Sequence, residues 1–395
     1  MPEQRVAVVG AGIIGLALAR HLTQTSGAEV TVLEKESAVG VHQTGHNSGV
    51  VHAGVYYAPG SLKARLCRRG VSLLRSYCAE RSLPYEECGK VIVARNEDEV
   101  TTLRGLRDRA QINGVPGLRW LSGRELTTVE PHVAGVAALH SPSTAITDFR
   151  AVAESLAGDV VAAGGALRLG TEVSGLTAAG DRARLRAGEV SLWFDRVVIC
   201  AGLYSDRLAR GAGDTADPMI IPFRGEYLQL VPERTGLIRG LVYPVPDPRY
   251  PFLGVHFTRR LDGGVDIGPN AVLALAREGY RWRSVSARDL GQTLRFGGFY
   301  RMAARHWRTG LREITGSLYR RRYVAEARAF VPSLTDTDVI SGGAGVRAQA
   351  VDRSGTLVDD FRISQLGPIV AIRNAPSPGA TSSLAIAEYI AAQMG

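Results

Sequence analysis

Apolar residues first gather in an unbroken run, Val6-Ala7-Val8-Val9, that stops at Gly10. A run without alternation predicts a strand buried on both faces of a parallel sheet. From Ile13 to Leu22 the apolar positions recur at helical spacing, with Gly27 just beyond, and Val30 to Leu33 forms a second apolar strand ended by Glu34. Strand, helix and strand together make a βαβ opening. No periodicity survives from Gly40 to Gly60, where Gly, His, Asn and Ser predominate, so a loop is predicted there. Ser61 is placed to cap a helix running to about Arg81. Further helices are predicted over 96–113, 122–129 and from Asp148 to Ala163. Val197-Val198-Ile199-Cys200 is another buried strand, followed again by Ala201-Gly202. Residues 220–268 read mostly as strand with Pro and Gly turns, and 287–330 as helical and strongly basic. The last sixty residues return to strand character before a final helix from about Gly379 to Ala392. No repeat or flexible linker divides the pattern, so the folding units are expected to interleave.

Composition narrows the class. The chain has 395 residues, 45% hydrophobic and 22% charged, which fits a globular protein and excludes disordered, collagen-like and disulfide-scaffold chains. No apolar run is long enough for a spanning helix. The formal charge is +9, and only Lys35, Lys63 and Lys90 among the 47 basic residues are lysines. Such a balance suits an anionic substrate, a nucleic acid or an anionic membrane surface. The arginines are scattered, which speaks for a compositional bias, and no nucleic-acid-binding motif appears. Cys67, Cys78, Cys88 and Cys200 show no C-x-x-C spacing, and no Cys/His grouping looks like a metal site. Reduced thiols are expected. No signal-peptide pattern precedes Val6, so a cytoplasmic location is expected as well.

Chemistry enters at Gly10-x-Gly12-x-x-Gly15, directly between the first strand and the first helix. The glycines permit a tight turn, backbone approach to a pyrophosphate and close helix–strand packing. The helix N-terminus at Ile14 then faces the negative charge. Glu34, 19 residues after Gly15, ends the second strand where a carboxylate takes ribose hydroxyls, with Lys35 beside it. An NAD domain would continue its βαβ winding here. Instead the chain offers Thr44-Gly45-His46-Asn47-Ser48-Gly49-Val50-Val51-His52-Ala53-Gly54. Small residues and amide or hydroxyl donors in extended loops suit a long ligand. Ala201-Gly202 and Gly379-Ala380-Thr381-Ser382-Ser383 suit the same one. FAD spans such a distance, and the final helix would aim its N-terminus at the flavin ring.

These residues resemble the FAD-dependent D-amino-acid-oxidase-like superfamily and, within it, the L-2-hydroxyglutarate oxidase/dehydrogenase family. The resemblance rests on His46 to Tyr57, Pro59 to Ala64, Phe252 to Thr258, Gly268 to Ala271, Gly345 to Gln349 and Asn374 to Ser383. Gly343 departs from it, standing where the family's Gly-Pro-Ala-Gly run has proline. The resemblance implies an α/β fold with a Rossmann-like FAD-binding domain from 1–87, 147–219 and 336–395. A largely antiparallel α+β substrate domain from 88–146 and 220–335 would interleave with it. It implies cofactor contacts at Gly10, Gly12, Ile14, Gly15, Glu34, Lys35, Thr44, Asn47, Ser48, Gly49, Val50, Val173, Ala201, Gly202, Gly345, Arg347, Gly379, Ala380, Thr381 and Ser382. The reaction implied is oxidation of L-2-hydroxyglutarate to 2-oxoglutarate, with electrons passed to oxygen or a quinone. Another 2-hydroxy acid, an amine or an amino acid is the alternative substrate.

Such a reaction needs a base, and histidine titrates in the right range. His52 follows the small-residue loop, and His256 lies in a strand of the covering domain; either could serve. A dicarboxylate needs two cationic clamps. Arg347 is the first choice, supported by Gln349, and Arg224 the second. Tyr57 and Lys63 either touch substrate or pack the helix that starts at Ser61. The segment from Arg295 to Arg328 sets Phe296, Phe299, Tyr300, Trp307, Leu311 and Leu318 among arginines. It reads either as a helical cap or as a peripheral contact with the inner face of the cell membrane.

Overall fold

The opening run becomes the strand Arg5–Val9, and the helical spacing after it becomes the helix Ile13–Thr25. This helix runs past Leu22 until the Ser26 N–H closes on the Leu22 carbonyl. The computed structural model describes residues 4–247 and 253–394, so Phe252 of the motif above and the side chain of Leu318 lie outside the described residues.

Among the described residues the first sheet runs, edge to edge, Arg362–Leu366, Ile369–Asn374, Arg196–Ile199, Arg5–Val9, Glu29–Leu33 and Ala166–Arg168. Every neighbouring pair is parallel except the hairpin at the Arg362–Leu366 edge. Helices Ile13–Thr25, Phe149–Ala162 and Ser383–Met394 cover it, burying Leu16, Leu18, Leu156, Val160, Ile386 and Ile390 in one core with Val6, Val8 and Val30. An antiparallel meander of Val173–Ala179, Arg182–Ala187 and Val190–Phe194 supplies the opposite core, which holds Ala7, Val9 and Ile199. The fold is thus the expected α/β arrangement, a doubly covered parallel sheet.

The second sheet is antiparallel apart from one pair, Leu241–Pro244 beside Lys90–Ala94. Its order is Val272–Leu273, Met219–Leu230, Val265–Ile267, Phe257–Arg259, Leu241–Pro244, Lys90–Ala94, Ala137–Ser141 and Arg119–Ser122. Val339–Val351 adds to the free side of Met219–Leu230, pairing from Met219↔Val351 to Leu230↔Val339. Strand alternation gives this sheet two faces. Val91, Val93, Val242 and Phe257 turn to one core, while Ile92, Ala94, Leu241 and Tyr243 turn to another that includes Val50, Ala53 and Val55. The second face therefore looks onto the loop that follows Gly49.

Two boundaries differ from the sequence reading. The final helix is Ser383–Met394 and does not begin at Gly379, because residues 379–382 are spent on turns. In these turns Ser382 N–H bonds the Pro378 carbonyl and Ser383 N–H the Ala380 carbonyl. Within the predicted loop, Val50–Val51 pairs with Ala145 and Ile146. Elsewhere the caps stand as predicted: Ser61 Oγ accepts from Ala64 N–H, and Asp148 accepts from Arg150 and Ala151 N–H. No helix among the described residues is long and apolar enough to cross a membrane.

Candidate active site

The glycine motif forms a tight cradle. Gly10 has φ +108°, in the region that favours glycine, and a Cβ there would lie 2.6 Å from the Cys200 carbonyl oxygen. A Cβ on Gly15 would lie 2.0 Å from the Gly10 carbonyl oxygen, which fixes the helix hard against the strand. Gly12 caps the helix with no side-chain hydrogen bond of its own. The hydroxyl of Thr44 accepts from Ile13 N–H at 3.0 Å, and Glu34 accepts from Ala11 N–H at 2.8 Å. Glu36 N–H holds the other Glu34 oxygen at 3.0 Å, so the carboxylate is oriented before any ligand arrives. Thr171 N–H donates to the Glu34 carbonyl at 2.7 Å, which brings the start of Val173–Ala179 beside the strand end.

Lys35 is drawn into a different group. Its ammonium meets Glu36 and Glu278, the latter at 2.7 Å, and His42 joins both carboxylates. Burial opposes the Lys35 charge, yet its bonds to Glu278 and Glu36 hold its pKa above the usual range. Glu36, His42 and Glu278 have the spacing of metal ligands, but the ammonium already sits on two of them.

The second contact region brings together the loop after Gly49, the turn before the last helix, and the antiparallel sheet. Asn47 is anchored through the Gln43 and Thr44 carbonyls and accepts from Gly49 N–H at 2.8 Å. Gly49 has φ +71°, and a Cβ there would meet the Thr147 carbonyl oxygen at 2.8 Å. Gly345 packs on His46, whose carbonyl oxygen a Cβ would meet at 2.5 Å. Gly70 of the helix Leu62–Glu80 lies against Thr381 and Ser382 with no room for a side chain. Ser382 Oγ, Ser383 Oγ and Asn374 Oδ1 are buried without partners among the described residues. Unsatisfied polar atoms at this depth call for a polar ligand.

Both histidines belong to this region, and the charge of His256 acts on His52. His52 N–H donates to Thr381 Oγ1 at 3.1 Å, its Nε2 lies 3.2 Å from Ser377 Oγ, and its Nδ1 is buried without a partner. Ser377 also bonds Tyr57, whose phenol burial keeps neutral. His256 Nδ1 lies 2.8 Å from the Gly254 carbonyl, and its ring packs on Tyr243 with centroids 4.3 Å apart. Burial depresses both imidazoles, His52 to about 3 and His256 to about 4. Repulsion adds to this: Lys90, His256 and Lys63 act on His52, and Arg347 and Lys90 on His256. Both rings are therefore neutral near pH 7.

Not every predicted residue reaches this place. Arg347 does, since its charge acts on His256, Tyr227 and Tyr243. Arg224 pairs in register with Val346, so it lies on the opposite sheet face from Arg347. There it stacks on Trp282 at 4.2 Å and meets Glu226 at 3.2 Å. The Gln349 amide donates to the Ala350 and Val358 carbonyls. Lys63 lies over the Tyr57 ring at 5.3 Å but is bonded to Asp359 at 2.8 Å. One residue is missed by the sequence reading: Lys90, 1% exposed, sits between the rings of Tyr56 and Tyr243.

The cradle, the oriented Glu34 and the buried hydroxyls describe a site for a long dinucleotide. A family described as FAD dependent oxidoreductase (DAO) matches residues 5–393. The chain belongs to this family. Among DAO-family relatives, it is 45% identical to L-2-hydroxyglutarate dehydrogenase, mitochondrial, of Nematostella vectensis, over 98% of this chain and 89% of the relative. It is 44% identical to L-2-hydroxyglutarate dehydrogenase of Indibacter alkaliphilus, over 97% of this chain and 96% of that one. The human mitochondrial protein of the same name is also 44% identical, covering 98% of this chain and 87% of its own. Among solved structures, the chain resembles L-α-glycerophosphate oxidase from Mycoplasma pneumoniae with FAD bound. The TM-score is 0.79 at 23% identity, over 100% of this chain and 95% of that one. A glycine oxidase from Bacillus cereus gives 0.71 at 17% identity, over 99% and 95%. As a DAO-family oxidoreductase the chain uses FAD, and the cradle fits it.

One consequence is direct. Gly15→Ala forces a Cβ into the Gly10 carbonyl, so the purified variant is expected to be nearly colourless and to melt earlier. The flavin-to-protein absorbance ratio checks this; a fully yellow variant would show that the cradle tolerates the methyl.

Proposed function

We propose that the chain oxidises the C2 hydroxyl of L-2-hydroxyglutarate and releases 2-oxoglutarate. Close full-length relatives carry the name of this activity. The observation that carries the reading is that two buried, neutral histidines and the cation Arg347 act electrostatically on one another, with His52 bonded to Thr381 of the turn before the last helix. FAD, when bound, supplies the acceptor for the hydride that leaves C2. His52 takes the hydroxyl proton: its Nε2–H is given to Ser377 Oγ, leaving the orphaned Nδ1 with its lone pair. His256, with Nδ1–H held by the Gly254 carbonyl, offers Nε2 as a second acceptor that orients the substrate. Arg347 binds the carboxylate beside the reacting carbon. Gly10, Gly12, Ile14, Gly15, Glu34, Val173 and Ala201-Gly202 hold the nucleotide half of FAD. Asn47 to Val50, Gly345 and Gly379 to Ser382 hold the flavin half.

The chain divides functionally as 1–87, 147–219 and 336–395 for FAD and 88–146 and 220–335 for substrate. The test is reduction of an artificial acceptor, with identification of the 2-oxo acid formed, for L- and D-2-hydroxyglutarate, L-malate, L-lactate and L-glutamate. Strong preference for L-2-hydroxyglutarate supports the reading; preference for another acid or for an amino acid moves the substrate and keeps the fold.

Electrons then pass to oxygen or a quinone. A quinone is favoured by the helix Gly297–Leu318 and the residues around it. Phe296, Phe299 and Met302 pack inward, while Tyr300, Trp307, Leu311 and Ile314 are exposed among Arg301, Arg305, Arg308 and Arg312. That surface suits an anionic bilayer. Co-sedimentation with anionic vesicles, lost at high salt and reduced by Trp307→Ser with Leu311→Ser, is expected. Indifference to such vesicles at low salt would leave oxygen or a soluble carrier as acceptor.

A further inference from the structure

Lys90 opens the strand Lys90–Ala94, and alternation gives it the face of Ile92, Leu241 and Tyr243. That face looks onto the His52 to Tyr57 loop. Its ammonium lies 4.8 Å from the Tyr56 ring centroid and 5.0 Å from that of Tyr243. Among the described residues no carboxylate and no hydrogen-bond acceptor reaches it. Other deeply buried cations of the chain are paired: Lys63 with Asp359, Arg224 with Glu226, Arg277 with Asp206. The titratable groups around Lys90 are neutral. Burial pushes the Cys67 thiol to about 12, lifts both phenols and keeps His52 and His256 unprotonated. Lys63 and Arg347 add only positive charge to this environment. A buried ammonium without a counter-charge is costly, and burial lowers its pKa to about 8.

We propose that Lys90 anchors the substrate carboxylate remote from the reacting carbon, while Arg347 takes the carboxylate beside it. The proposal rests on the dicarboxylate reading above. A guanidinium fork fixes angle as well as position, which is needed next to the reacting carbon. A compact ammonium supplies charge without orientation, which suits the far end of a flexible chain. Bound carboxylate would also neutralise the charge that suppresses His52. Its acceptor nitrogen then becomes a stronger base only when substrate is present.

The test uses the FAD-loaded variants Lys90→Met and Lys90→Gln with two five-carbon substrates, L-2-hydroxyglutarate and L-2-hydroxypentanoate, which lacks the far carboxylate. For the dicarboxylate, kcat/KM is expected to fall on the order of 100-fold, mostly through KM. For the monocarboxylate it is expected to stay within about threefold. The same contrast is read in binding, with glutarate and pentanoate as ligands that perturb the flavin spectrum, so slow turnover leaves the comparison intact. For the wild type, kcat/KM should decline as pH rises through about 8, a limb that Lys90→Met lacks. Without ligand, Lys90→Met should melt no earlier than wild type, because an unpaired charge has been removed. Equal losses for both substrates, no loss for the dicarboxylate, or loss of FAD from both variants would overturn the proposal. A wild-type enzyme inert toward L-2-hydroxyglutarate would instead overturn the parent reading.

Discussion

Replacing His52 by Asn lowers kcat on the order of 1,000-fold while FAD stays bound. The orphaned Nδ1 and the contact of Nε2 with Ser377 Oγ together give a neutral ring with one free lone pair. A base held at about 3 in the free enzyme is neutral across the working range, so kcat/KM should show no acid limb from His52 above about pH 4. Lys90, His256 and Lys63 contribute to that depression. An anionic substrate offsets them, raising the His52 pKa in the complex. The acid limb of kcat should therefore lie at higher pH than that of kcat/KM, and it should vanish in His52→Asn. His256→Asn is expected to raise KM more than it lowers kcat. If His256→Asn instead abolishes kcat and His52→Asn does not, the two histidines exchange roles.

Arg347→Met is expected to raise KM for L-2-hydroxyglutarate on the order of 100-fold and to lower kcat as well. The charge of Arg347 reaches His256, Tyr227 and Tyr243, so its loss touches both binding and the electrostatics of the pocket. His256, depressed in part by Arg347, should titrate higher in the variant, in the direction of an ordinary imidazole. Arg347→Lys restores charge without the bidentate fork and should recover only part of the lost KM. Steady-state kinetics with both variants decide this, provided flavin content matches wild type. An unchanged KM in Arg347→Met would remove Arg347 from substrate binding.

The βαβ opening was legible because its signals are local. An unbroken apolar run, three glycines at fixed spacing and a terminal Glu34 need no tertiary information. Ser61 and Asp148 were legible for the same reason, since a cap acts over three residues. Arg224 was harder. Its place on the opposite face from Arg347 follows from the Arg224↔Val346 register, and register is set by pairing across more than a hundred residues. Gln349 turns to the Ala350 and Val358 carbonyls because the chain returns at Val358, a turn that its own spacing does not announce. Lys90 was hidden because a lysine heading an apolar strand looks like an edge residue until both neighbouring strands are in place. A compositional hint existed. In a chain where arginine supplies nearly every cation, the few remaining lysines are candidates for positions a guanidinium cannot fill. The final helix begins four residues later than the sequence predicts because the Ser-Pro-Gly-Ala-Thr-Ser stretch forms its own turns first.

This FAD enzyme is expected to take its electrons from L-2-hydroxyglutarate. Anaerobic mixing of the purified yellow protein with that acid, followed in the visible flavin band, tests it most directly. Rapid bleaching with the L-enantiomer, none with the D-enantiomer, and 2-oxoglutarate in proportion to the flavin bleached is the result expected. A flavin that stays oxidised with L-2-hydroxyglutarate, in protein that carries its full complement of FAD, would contradict it.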